Sequence, residues 1–317
     1  MKIKITLSLL LMSFCVIGSS NWAIGQDNNV GLIVGALEHH HVQWPDWGPS
    51  FFPEKERKYK FQVRVLFEKK GSSWVAFKHD ANNSEDLKKS IKYYPREIDW
   101  LVAFDGKTIG QLKSTVPDTI PYYACVGLHV LDPNAKSPTV GKITKEFAGW
   151  SDEPCFRPLV LVSKNYTSNP QMWKPVRPPN SIIQQCKEAF IKVVGPVALC
   201  DEKSGHKIIA NNYSSRINHI KTYQSKDGEY LTCYRLEVPY NNKCDEFSDD
   251  FSDQWFFINK TGSVQHIGEK MALLDAGDYD KDGISEIIFW YSRYDEDGYI
   301  LFYNHFSNHA KFTWNYH

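Results

Sequence analysis

Charge of one sign is missing from this chain, and so are most of the short motifs that announce a reaction. The 317 residues carry 37 Lys plus Arg against 37 Asp plus Glu, a formal net charge of zero. A nucleic-acid partner needs a basic face, so that class of partner is disfavoured. The sequence contains no G-x-S-x-G elbow, no P-loop, no G-x-G-x-x-G and no H-E-x-x-H. Nucleophile-elbow hydrolases, phosphate-loop enzymes, dinucleotide folds and zincins therefore have no sequence support. No C-x-x-C occurs either, which removes zinc ribbons and thioredoxin-like redox motifs. A catalytic triad is defined by geometry rather than order. A secreted hydrolase with its site on unidentified loops is thus the alternative to a non-catalytic protein.

Long apolar runs are scarce as well. The main one opens the chain, in MKIKITLSLLLMSFCVIGSSNWAIGQ. Lys2 and Lys4 make a basic n-region, residues 5–18 an apolar h-region, and Ala23-Ile24-Gly25 a small-x-small site before Gln26. That pattern predicts a secretory signal peptide over 1–25. The run is too short for a membrane span. The expectation is an exported protein, periplasmic or secreted, with no transmembrane segment once the signal is removed. Its ligand would be a protein, peptide or glycan.

Of the seven cysteines, Cys15 lies in the leader. Cys125, Cys155, Cys186, Cys200, Cys233 and Cys244 form an even set, which in an oxidising compartment predicts at least one disulfide. Cys200 and Cys244 are the favoured pair, since each sits in a polar stretch and is followed by Asp-Glu.

Aromatic residues are abundant: 10 Trp, 17 Tyr and 18 Phe. Five β-rich hairpins can be read around tight turns, in 63–77 at Lys69-Lys70-Gly71, 100–112 at Asp105-Gly106, 219–238 at Lys226-Asp227-Gly228, 255–268 at Lys260-Thr261-Gly262 and 287–304 at Asp297-Gly298. Glycine tolerates the positive φ that such turns require. One helix is predicted near 181–194, with Ser181 and Gln184 as a capping box, Ile182, Ile183, Cys186 and Phe190 on one face, and Gly195 as its stop. Pro170, Pro175, Pro178 and Pro179 precede it. The layout expected is an N-terminal β region over 26–169, a Pro-rich connector over 170–180, and a helix plus β region over 181–317. The fold class is mainly β, built of antiparallel hairpins and meanders with one packed helix. The last four strands have the size of a β-propeller blade, so an irregular propeller is one arrangement these meanders can take.

The strongest chemical signal is GDYDKDGISEIIFWY, residues 277–291. Asp278, Asp280, Asp282, Gly283 and Glu286 spell D-x-D-x-D-G-x-x-E. Alternate side chains in a tight loop converge, and carboxylates are the hard oxygen donors that Ca²⁺ takes. Carboxylates this close repel unless a cation sits among them. An EF-hand is a poor fit: position twelve is Phe289, and the flanks read as strands. The spacing instead resembles the calcium loops of FG-GAP and VCBS-type repeats, found in integrin-α-like propellers. That resemblance covers about 273–291. It implies one Ca²⁺ held by the side chains of Asp278, Asp280, Asp282 and Glu286 and the backbone carbonyl of Ile284. Over its whole length the chain also resembles a group of uncharacterised exported bacterial proteins that end in this loop, which implies no activity.

Weaker candidates surround it. Asp295 and Asp297 are a fragment of a second loop. The acidic stretch 244–253 reads as a hydrated loop or a weak cation site. Glu38, His39, His40, His41 and Asp46 have donor types suited to zinc, copper or nickel, with a polar loop as the plainer reading. Trp44, Trp47, Phe51 and Phe52 suit either a glycan or peptide platform or ordinary core packing. No catalytic residue can be assigned.

Overall fold

The computed structural model describes residues 31–40, 60–77, 94–117, 127–131, 136–138, 140–141, 144–149, 155–200, 206–237 and 253–315. The leader, the aromatic group Trp44 to Phe52, His41, Asp46, Cys125 and Cys244 lie outside them, as do the side chains of His39, His40 and Cys200.

Among the described residues the fold is mainly β with one α-helix, as the sequence predicts. The first sheet holds β1 (Ile33–His40), β2 (Lys60–Lys70), β3 (Ser73–Ala76), β4 (Glu97–Phe104), β5 (Lys107–Thr115), β6 (Leu128–Leu131) and β7 (Leu159–Val162). Its order is β1-β7-β4-β5-β6-β2-β3, and β1 also pairs with β2, so the sheet curls on itself. After it come β8 (Thr167–Ser168), β9 (Lys174–Pro175), the helix α1 (Asn180–Val194) and a ribbon of β10 (Val197–Cys200) and β11 (Lys207–Ala210). A middle sheet is the meander β12 (Ile217–Gln224), β13 (Tyr230–Leu236), β14 (Gln254–Ile258) and β15 (Val264–Glu269), with β9 on its edge. The C-terminal sheet is the meander β16 (Met271–Asp278), β17 (Glu286–Arg293), β18 (Glu296–Tyr303) and β19 (Asn308–Asn315), with β8 on its edge. Every strand pairing is antiparallel.

Side-chain alternation along the strands sorts residues into layers. In β7, Leu159 and Leu161 face the inside of the curl, beside Val63, Val65, Trp100 and Val102. Val160 and Val162 face the other way and join Trp290, Tyr299, Leu301 and Phe312 of the C-terminal sheet. On β17, Ile288 and Trp290 serve that layer, while Ile287 and Phe289 meet Trp255 and Phe257 of the middle sheet. On β14, Phe256 and Ile258 turn towards Ile182, Cys186 and Phe190 of α1. The C-terminal sheet is thus covered on both faces. That explains why 286–291 reads as an almost unbroken apolar run rather than an alternating one. Trp255 spans the seam between sheets. It is fully buried, stands edge-on to Phe289 at 5.0 Å and donates its indole N–H to the Met271 carbonyl at 2.8 Å. Burying such a side chain contributes about 1.5–3 kcal/mol.

Two local expectations are corrected. The last hairpin does not turn at Asp297-Gly298. Arg293 pairs with Glu296, so the turn is Tyr294-Asp295, with Asp295 at φ 61°. Gly298 lies inside β18, where a Cβ would come within 2.2 Å of the Phe312 carbonyl oxygen. The glycine is there for close strand approach, not for the bend. The capping box does not form either. Helix α1 begins at Asn180 with Pro179 as its cap, which puts Ser181 inside the first turn, and the Gln184 amide donates to Glu188 at 2.7 Å. Gly195 ends the helix at φ 74°, as expected.

The described cysteines Cys155, Cys186 and Cys233 are free thiols. Cys186 packs between α1 and the middle sheet, Cys233 between the middle and C-terminal sheets, and Cys155 against the layer shared with the first sheet. Sheets separate them. The favoured Cys200–Cys244 pair falls outside the described side chains.

Candidate metal centre

The acidic loop joins β16 to β17, and the pair Gly277 with Glu286 closes the ladder beneath it. Lys281 at φ 65° and Gly283 at φ 91° supply the left-handed steps that bend the chain so tightly. Tyr279 pins the loop from below. Its ring is buried against Tyr166 at 5.7 Å and lies so close over Gly277 that a Cβ there would meet it at 2.4 Å. Its hydroxyl donates to the Asp275 carboxylate at 3.1 Å.

Above this plug, Asp278, Asp280 and Glu286 bring one carboxylate oxygen each within 4.8 Å of one another. They form the one group of three or more potential metal-ligating side chains among the described residues. Calcium takes oxygen ligands at about 2.3–2.6 Å, so ligands on opposite sides of the ion stand about 5 Å apart. The observed spacing fits inside that sphere. Asp278 and Glu286 are only 3% and 2% exposed.

Backbone amides orient the donors. Gly283 N–H donates to Asp278 Oδ2 at 3.0 Å, Asp282 N–H to Asp280 Oδ1 at 3.2 Å and Tyr279 N–H to Glu286 Oε2 at 2.7 Å. Asp278 Oδ1 is buried and has no hydrogen-bond partner. Burial pushes the Glu286 carboxyl up to about 8, and the charges of Asp280 and Asp282 push the same way. Burial also raises Asp278, with Asp282 and Asp280 adding to it against the Gly283 amide. Without a cation, then, this site holds more negative charge than its surroundings support.

Asp282 and Ile284 sit differently from the other three. The Asp282 side chain is exposed, outside the converging group, and its Oδ1 accepts the Ile284 N–H at 2.8 Å. Asp297 is buried within β18, so the fragment of a second loop does not form one.

Three residues at the site are invisible in the local sequence. Lys69, from β2, places its ammonium against Asp280 Oδ2. Trp74, from β3, donates its indole N–H to Glu286 Oε1 at 3.2 Å. Gln171 accepts the Ser285 N–H at 3.2 Å through its side chain and the Lys226 N–H at 2.8 Å through its backbone carbonyl, tying the loop to the middle sheet. β8 adds a second tie, with Thr167 opposite Asp278.

A serine–histidine contact also exists in the first sheet. Ser114 Oγ lies 3.0 Å from His129 Nδ1 and accepts the Trp100 indole N–H at 2.7 Å. Ser114 and His129 are buried inside the curl, and burial lowers His129 to about 4. A neutral imidazole sealed among apolar side chains is a packing element here.

No protein-family model, curated protein or solved structure matches this chain.

Proposed function

We propose that this chain is an exported, β-rich binding or structural protein whose C-terminal sheet is stabilised by one Ca²⁺ at the 278–286 loop. Asp278, Asp280 and Glu286 are the side-chain ligands. The Ile284 carbonyl and the Asp282 carboxylate complete the shell once the loop tightens. One observation carries the reading: Asp278 Oδ1 is buried without a partner among converging carboxylates, an arrangement that costs free energy unless a cation fills it. The all-oxygen donor set selects a hard ion, and a site holding several carboxylates suits Ca²⁺ better than Mg²⁺, which retains most of its own water. The ion's role is structural, because the loop closes the β16–β17 ladder and is tied by Gln171 to a second sheet. Isothermal titration of chelator-stripped protein with CaCl₂ tests it. One site per chain in the parent, and none in Asp278→Asn, is the expected result. No saturable heat in the parent overturns it.

A further inference from the structure

Lys69 is the unexpected member of this site. It comes from the first sheet, 211 residues away in sequence, yet its ammonium contacts the Asp280 carboxylate. The pair is largely shielded: the Lys69 side chain is 17% exposed and that of Asp280 7%. The ammonium is also held near two aromatic faces, 5.3 Å from the Trp74 ring centre and 5.8 Å from that of Tyr303. An ammonium over an aromatic face is attracted to it, so Lys69 has a second resting place beside the loop.

Two opposing demands meet at Asp280. Its Oδ1 is held by the Asp282 amide and its Oδ2 by Lys69. A cation entering between Asp278 and Glu286 needs Asp280 as a ligand and meets the positive charge of Lys69 at close range. In a shielded setting two cations a few ångströms apart repel strongly. Asp278 and Glu286 show the reverse condition: Asp278 Oδ1 is buried without a partner, and the Glu286 oxygens meet the neutral N–H donors of Trp74 and Tyr279. The one ammonium at the site thus contacts Asp280, while Asp278 and Glu286 converge with it on neutral donors alone.

We infer that Lys69 is an internal counter-ion that competes with the cation for Asp280 and sets the affinity of the site. The inference rests on the calcium reading proposed above. Lys69 partly neutralises the loop when calcium is scarce and shifts towards Trp74 and Tyr303 when calcium binds. The affinity is thereby held below what the carboxylates alone would give. Exchange of the ion is coupled to the β2–β3 hairpin, which carries both Lys69 and Trp74.

Calcium titration of the full chain with Lys69→Met and Lys69→Arg tests this. Methionine keeps most of the length of the side chain, one atom shorter, and adds no oxygen donor. Lys69→Met should tighten the Ca²⁺ dissociation constant about tenfold or more, since a repelling charge is removed. Lys69→Arg keeps the charge and should stay within about threefold of the parent. Binding by Lys69→Met but not by the parent would also support the inference. Equal or weaker binding by Lys69→Met, where the parent binds, overturns the role of Lys69 and leaves the calcium site standing. No binding by parent or variant overturns both. A measurement on the parent alone guards against a variant that fails to fold. The rate of amine labelling at Lys69, mapped by mass spectrometry, should rise at least twofold when calcium is added, as Asp280 releases the ammonium and a neighbouring cation disfavours its charged form. An unchanged rate in calcium-saturated protein overturns the inference.

Discussion

Replacing Glu286 with glutamine should raise stability in the absence of calcium, and calcium should remove most of that advantage. In the cation-free protein the Glu286 carboxyl is raised from 4.5 to about 8. At pH 7 the unfolded chain carries the charge and the folded chain resists it, a cost of about 3 kcal/mol by proton linkage. Glutamine removes that cost. It also replaces one acceptor oxygen with an NH₂ group, which then faces either the Trp74 indole N–H or the Tyr279 N–H. An unsatisfied buried donor costs about 1–2 kcal/mol. The net expectation for Glu286→Gln in chelator is a gain of about 1–2 kcal/mol at pH 7, a rise of a few degrees in Tm. Calcium narrows the difference. With a Kd of about 10⁻⁴–10⁻³ M and millimolar ion, the parent gains about 0.4–1.4 kcal/mol and the variant gains nothing. The pH dependence carries the same sign. A raised carboxyl binds more protons in the folded state, so the cation-free parent loses stability as pH rises from about 4.5 to about 8. The advantage of Glu286→Gln should therefore grow across that window and shrink when calcium is present. Differential scanning calorimetry in chelator and in calcium, from pH 5 to 8, measures all of this. A variant less stable than the parent in chelator by a margin independent of pH would refute the reasoning.

Other expectations follow from single contacts. Asp280→Ala should abolish most of the thermal shift on adding calcium, while Asp295→Ala, at the tip of the last hairpin, should leave it intact; scanning fluorimetry of the two side by side separates ligation from a general loss of negative charge. His129 is lowered from 6.5 to about 4 by burial, so its contribution is present above pH 6.5 and is lost as pH falls towards 4, by up to about 3 kcal/mol; urea midpoints of the parent should fall over that window, and those of His129→Gln should fall less. Gly298→Ala would bring a Cβ to 2.2 Å from the Phe312 carbonyl oxygen and 2.7 Å from Thr313 Cγ2, and should cost about 2–4 kcal/mol, read from the same urea midpoints. Gly283→Ala meets no atom within 4 Å but keeps φ at 91°, and should cost about 1 kcal/mol in chelator.

The sequence revealed what is local. Strand alternation, four of the five hairpin turns and the helix were legible because the signals lie within a few residues of one another. The converging Asp278, Asp280 and Glu286 were legible for the same reason, since their spacing is a property of one loop. The last turn was misread because Asp-Gly serves turns and close strand approach alike, and only the Phe312 carbonyl across the ladder decides between them. Asp282 stands outside the converging three, with its Oδ1 accepting the Ile284 N–H, a local competition that spacing does not reveal. Lys69 and Trp74 had no signal of their own. Their hairpin reads as an ordinary turn, and their role comes from packing the first sheet on the C-terminal sheet, a contact between residues more than 200 positions apart. Gln171 and the two-residue β8 are likewise defined only by the edge they pair with.

Trp74 offers the most direct test of the cation site. Its indole N–H is 3.2 Å from Glu286 Oε1, so a terbium ion held by that carboxylate sits next to the ring and takes up its excitation energy. Terbium added to chelator-stripped protein and excited through tryptophan should give sensitised emission that saturates at one ion per chain. Calcium should quench it by displacement. Trp74→Phe should lose most of the emission while still binding one calcium by calorimetry. Emission that is absent from the parent, or that persists undiminished in Trp74→Phe and resists calcium, would contradict a metal centre at Asp278, Asp280 and Glu286.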